Sequence, residues 1–217
     1  MEFAEYVKEI FDANNYRLAR NVNYSKEHPW YDPFTKILPS ALKKIVDVLE
    51  TAPLKNSYDY EGSIGAGRLA DVFWFGCRHP HLAPTWQKGF YIVYLLSNDG
   101  TRLYLSLILG TEIVFSAEEL AMKAEQLRGP KSLIISTLQA NVAGVNGLDL
   151  RPFNFGQISL GGRSNLARAY EIANIFSIKY DSRVEIPSEA KLEENLGNFW
   201  AVYKRCLTLF GENVPNC

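Results

Sequence analysis

Residues 62–76 read GSIGAGRLADVFWFG, and residues 88–110, after a polar Pro-containing connection, read KGFYIVYLLSNDGTRLYLSLILG. The first stretch sets Gly62, Gly65 and Gly67 ahead of an apolar run that carries Trp74. The second holds two β-type runs around Asn98-Asp99-Gly100, a strong hairpin-turn signal. Leu103, Leu105, Leu107 and Leu109 alternate strictly, so a period of two marks one face of that strand as core. Strands are therefore predicted over residues 58–64, 69–77, 90–96 and 103–109. A glycine loop beside a β-surface bearing an aromatic side chain is suited to holding a flat ligand.

Outward from this centre the period changes to that of a helix. Phe3, Val7, Ile10 and Phe11 predict an amphipathic helix over residues 2–15, and residues 20–36, with Pro29 and Pro33, read as a loop. A helix capped by Ser40 is expected to carry Leu42, Ile45, Val46 and Leu49 on one face and to stop before Pro53. Ser116 is expected to cap another, ended by Gly129-Pro130. Residues 132–150 read as a short strand and a loop, and residues 151–160 as a further strand. Ser164 heads a predicted helix through Leu166, Tyr170, Ala173 and Ile175. The final helix is the clearest: Leu192, Leu196, Phe199, Trp200, Tyr203, Leu207 and Phe210 share one face, with Gly211 as terminator. The expected class is α+β, a mainly antiparallel central sheet flanked by helices.

The 217 residues are 47% hydrophobic and 22% charged, ordinary for a soluble domain. A chain of this size buries about 70% of the surface its unfolded form exposes, so it needs no disulfide or metal staple. The net charge of −1 excludes the bulk basic signature of nonspecific phosphate binding, so any nucleic-acid contact has to come from local patches. Cys77, Cys206 and Cys217 show no metal spacing and read as reduced thiols. No signal peptide is expected, because Glu2, Glu5, Glu9 and Asp12 punctuate the N-terminus. The apolar runs fall short of the roughly 20 residues of a membrane span. The expectation is a cytoplasmic protein with no membrane partner.

Candidate chemistry is sparse. Cys77-x-His79-x-His81 lacks the further ligands a zinc site needs and reads as a loop after a strand. The glycines at 62–67 lack the Lys-Ser/Thr of a phosphate loop and precede a strand, not a helix. Asp59, Glu61 and Asp71 lie on neighbouring predicted strands without the lysine that commonly accompanies nuclease carboxylates. No Ser or Cys stands in a nucleophile context. The residues point to a non-catalytic chain with no cofactor or metal. For Trp74 they leave two readings open: a core aromatic, which is the commoner case in mid-strand, or a ligand-facing ring.

The GSIGAGRLADVFWF block, KGFYIVYLL, DGTRLYLSLILG, the LARAYEIANI helix and the 192–210 helix, in that order, resemble the N-terminal domain of McrB-type modification-dependent (type IV) restriction proteins. The resemblance covers about residues 40–210 and implies a recognition domain over 40–217 preceded by a helical extension over 1–39. It also implies binding of double-stranded DNA and rotation of a modified base, methylated cytosine in this family, into an aromatic and apolar pocket on the sheet. By position, Trp74 would be the pocket's wall, Leu95 an apolar partner and Ala66 a further lining residue. The backbone from Ile64 through Gly65 and Gly67, with Arg68, would approach the DNA. Lys88, Arg163 and Arg168 are further candidates for phosphate contact. The family pattern has Pro-Trp where this chain has Phe73-Trp74, and its best-known member has a tyrosine where this chain has Ala66. The smaller residue implies a more open pocket, suited to a bulkier modification or another methylated base, or weaker binding. Family members usually continue into a GTP-hydrolysing AAA+ motor that recruits a nuclease in antiviral defence, so both are expected partners, on a longer form of the chain or on separate subunits. The alternative is a structural or protein-interaction module of a defence complex with no base-specific pocket.

Overall fold

A computed structural model of the chain describes residues 3–50, 57–81, 83–110, 116–142, 152–156 and 158–210. Its centre is a six-stranded antiparallel sheet in the order β1-β2-β3-β4-β6-β5. The strands are β1 (Asp59–Gly65), β2 (Leu69–Arg78), β3 (Phe90–Leu96), β4 (Arg102–Leu109), β5 (Asn154–Phe155) and β6 (Asn174–Asp181). The helices are α1 (Phe3–Phe11), α2 (Ala13–Arg20), α3 (Leu38–Leu49), α4 (Ala117–Val142), α5 (Asn165–Ala173) and α6 (Glu189–Phe210). The α+β class with a flanked antiparallel sheet is as the sequence predicts.

The β1–β4 strands follow their alternation closely. Asp99 fixes the β3–β4 turn, its Oδ1 accepting from the Ser97 hydroxyl at 2.6 Å and from the Thr101 N–H at 3.1 Å. The leucine alternation predicts one buried face of β4, yet Tyr104, Ser106 and Ile108 on the other face are buried as well. One sheet face carries Phe73, Phe75, Tyr94 and Phe176 and is closed by α1, the residues leading into α3, and α6. Phe75 stacks on Tyr94 at 4.7 Å, Phe3 meets both edge-on, Phe34 meets Phe73 at 5.5 Å, and Phe199 of α6 lies 4.8 Å from Phe176. The other face is covered over β4 by α5, and α4 packs against α5, with the Lys131 ammonium donating to the Ile172 carbonyl.

Several boundaries differ from the sequence reading, each for a local reason. The first helix breaks at Asp12, whose carboxylate accepts from the N–H groups of Asn14 and Asn15 and so caps a second helix. The third does not start at Ser40. A π-helical turn over Pro33–Ile37 runs directly into α3, placing Pro39 in its first turn, where a missing N–H costs little. Ser116 caps α4 as expected, in a reciprocal box with Glu119, but the helix does not stop at Gly129-Pro130. It continues because Leu127 before the break and Ile134 and Leu138 beyond it keep one buried stripe, and that packing outweighs the local break. The strand and loop expected over 132–150 are thus helix as far as Val142. The strand expected over 151–160 reduces to β5. The α5 helix ends at Ala173, and residues 174–181 form a central strand absent from the sequence reading. Gly211, Cys217, Pro53, Arg151 and residues 143–150 lie outside the described residues.

Candidate functional site

The glycine stretch folds as the β1–β2 hairpin. Gly65 pairs with Leu69, leaving Ala66, Gly67 and Arg68 as an exposed tip. Gly65 has φ +134° and Gly67 φ +73°, conformations that side-chain-bearing residues rarely adopt. A Cβ on Gly65 would also stand 2.0 Å from the Arg68 carbonyl oxygen, so the turn closes only around glycine. Ser63 supports it from inside, its Oγ accepting the Gly65 N–H at 3.0 Å. Ile64 is fully buried, backbone included, so it lies beneath this surface and not on it.

Facing the hairpin is the N-terminus of α5. Ser164 caps it by accepting the Ala167 N–H. Asp71 of β2 ties this end of the helix to the sheet, its Oδ2 accepting the N–H groups of Arg163 at 2.8 Å and Ser164 at 2.6 Å. Burial raises the Asp71 carboxyl, but the Ser164 and Arg163 hydrogen bonds and the Arg20 charge outweigh it and hold it below the usual carboxylate range. These helix-end donors are therefore occupied by a carboxylate of the chain itself. Positive charge for a ligand comes instead from the exposed side chains of Arg68 and Arg163.

Between hairpin and helix lies a cleft of about 520 Å³, lined by Ala66, Arg68, Val72, Arg163, Ala167 and Tyr170 among others. That volume is in the range of small-ligand sites. Of the residues singled out in the sequence, the cleft gathers Gly65, Ala66, Arg68 and Arg163. Trp74 stands two residues beyond Val72 on the same face of β2 and is half-buried. Leu95 is its direct cross-strand partner on β3 and is fully buried. Arg168 is exposed on α5 outside the cleft lining. Lys88 is exposed beside Gly110, near the Phe90–Leu109 end of the sheet, opposite the end that carries Arg68.

Tyr170 and Trp86 belong to this surface, and the sequence does not mark either as a site residue. The helical period of residues 164–175 placed Tyr170 on a face without saying what the face meets. Trp86, an aromatic in a polar loop, was the available signal for a second ring; it packs 4.8 Å from Trp74.

The other chemical candidates disperse. Asp59 pairs with Arg78 at 2.6 Å, Glu61 accepts from Trp86, and Asp71 is held at the opposite end of β2, so the three carboxylates do not converge. Cys77 is fully buried, and burial pushes its thiol well above the usual range. The His79 and His81 rings lie 5.5 Å apart, and burial followed by the His81 charge lowers the His79 pKa. Among the described residues, no group of three or more His, Cys, Asp or Glu is gathered for a metal, and no helix is long and apolar enough to cross a membrane.

A comparison with curated proteins found no match. A family model for the MrcB-like, N-terminal domain matches residues 13–208, from the first residue of α2 to the last turn of α6. With nearly its whole length matched, the chain belongs to the MrcB-like N-terminal domain family.

Proposed function

We propose that the chain is a non-catalytic recognition module that binds double-stranded DNA and takes a modified base, methylated cytosine in the first instance, out of the stack. The observation that carries this reading is the cleft between the β1–β2 hairpin and α5, with Arg68 and Arg163 at its mouth and Trp74 next to it. The arginines would neutralise phosphates, and the glycine tip would let the backbone come close to the duplex. Trp74 would present a ring to the extruded base, with Leu95 as the apolar floor beneath it. Ala66 leaves the hairpin side of the cleft open, which suits a base with a bulky substituent. Base extrusion costs a few kcal/mol, so the rings and the cleft have to return that much for binding to be selective. In this reading the module acts in the cytoplasm and directs a GTP-hydrolysing motor and a nuclease to foreign DNA.

The test is a binding panel of duplexes carrying 5-methylcytosine, N4-methylcytosine, 5-hydroxymethylcytosine, N6-methyladenine or no modification. One modified duplex should bind tighter than the unmodified one, and Trp74→Ala should remove that preference while the protein stays folded. Equal affinity for every duplex overturns base recognition. A second reading, a protein-interaction module, draws on the full burial of Leu95 and the packing of Trp74 on Trp86. It predicts no salt-sensitive DNA binding at all.

A further inference from the structure

Trp86 lies in the connection between β2 and β3, and it is held from several directions. Its indole N–H donates to Glu61 Oε2 at 2.5 Å, and its carbonyl accepts the Tyr91 hydroxyl at 2.6 Å. The Arg78 guanidinium stands 5.6 Å from its ring centre, Tyr91 meets it edge-on at 5.0 Å, and Trp74 lies 4.8 Å away with the rings inclined at 55°. Arg78 is in turn fixed by Asp59 at 2.6 Å.

The register says where this ring sits. Trp74 and Arg78 flank Gly76 on one face of β2, and Glu61 is the β1 partner of Gly76. These contacts place the indole next to Gly76, on the face that carries Trp74 and Arg78. Gly76 itself admits no substituent, because a Cβ would stand 2.3 Å from the Ile92 carbonyl oxygen. Trp86 therefore packs on the Arg78 side of Trp74. The cleft is on the opposite side, where Val72 lines it.

The geometry points to Trp86 as a positioning residue for base recognition: it fixes the orientation of the Trp74 ring from behind, so that the opposite face meets the base. This rests on the base-reading function proposed above. An aromatic χ2 is broad and two-fold, so a half-exposed tryptophan without such a backing samples several ring orientations. Fixing one of them before binding removes an ordering cost that would otherwise weaken the complex. Arg78 and Glu61 act at one remove, by fixing Trp86.

The experiment compares wild type, Trp86→Ala, Trp86→Phe and Trp74→Ala for affinity to modified and unmodified duplex, with unfolding curves for each. Trp86→Ala is expected to lower the modified-to-unmodified preference by about 3- to 10-fold, the scale of one aromatic pair, with unmodified affinity and its salt dependence unchanged. Trp86→Phe, which keeps a ring against Trp74 but lacks the indole N–H, should recover most of the preference. Full preference in Trp86→Ala together with its loss in Trp74→Ala overturns the positioning role and leaves base reading standing. An equal loss of affinity for both duplexes also overturns it. If Trp74→Ala keeps the preference, base reading fails and the positioning role fails with it. Should Trp86→Ala not fold, Trp86→Phe and Trp86→Leu decide: weaker preference with Trp86→Leu, which has no ring, and near-normal preference with Trp86→Phe support the inference, and an unchanged preference in both overturns it.

Discussion

The same strands present two faces of different character. On one, Phe73, Phe75 and Tyr94 meet rings from α1 and the π-helical turn, Phe176 meets Phe199 of α6, and the contacts close the surface. On the other, α5 covers β4, while over β2 the surface is left to a cleft, the half-buried Trp74 and the loop residue Trp86. Trp74 and Phe75 are neighbours in sequence, both aromatic and both on β2. One lies in a sealed core and the other beside open space, because successive residues of a strand point to opposite faces. Aromatic content alone therefore says nothing about which ring meets a ligand; the cover on each face does.

The largest break of this contrast is Phe75→Ala. It should lose about 3–5 kcal/mol of unfolding free energy, as for other fully buried large aromatics, read by urea denaturation. Trp74→Ala should cost far less stability in the same assay and act instead on duplex preference. A loss as large as that of Phe75→Ala would place Trp74 in the core. Asp71→Ala should cost about 1–2 kcal/mol, the scale of a lost helix cap, and loosen the α5 wall of the cleft. Hydrogen exchange at Arg163, Ser164 and Ala167 would register it first. The pH dependence has a definite sign. The lowered Asp71 carboxyl contributes stability in full above its ordinary value of 3.8, and the contribution is lost as pH falls through the lower folded value. Asp71→Ala should therefore flatten the acid limb of the stability profile. The smallest effects are electrostatic. Arg68→Ala and Arg163→Ala should each reduce the salt slope of DNA affinity by about one, and Lys88→Ala, at the other end of the sheet, should leave it unchanged.

Much of this was legible in the chain. The β1–β4 strands and the 98–100 turn declare themselves through alternation and turn chemistry, which are local. β6 does not, because NIFSIKYD continues the apolar spacing of α5 with no Gly or Pro between them, and only pairing with β4 makes it a strand. The Gly129-Pro130 stop was read from chemistry that packing further along the helix overrides. At the site, the glycine hairpin was legible because positive φ demands glycine. The opposite wall was not, since the contact of Asp71 with Ser164 spans 93 positions in sequence. No local pattern encodes a contact of that kind.

The two walls of the cleft also differ mechanically. α5 ends at Ala173 and β6 begins at Asn174 with no residue between them, and Asp71 and Lys131 fasten the helix along its length. That wall is continuous with the middle of the sheet, and sliding it would shear the β4–β6 ladder. The facing wall is a short turn whose tip, from Ala66 to Arg68, is exposed to solvent. Compliance therefore belongs to the hairpin: under the proposed function, a ligand of unfamiliar size would be accommodated by the turn flexing outward, against a helix that acts as a fixed stop.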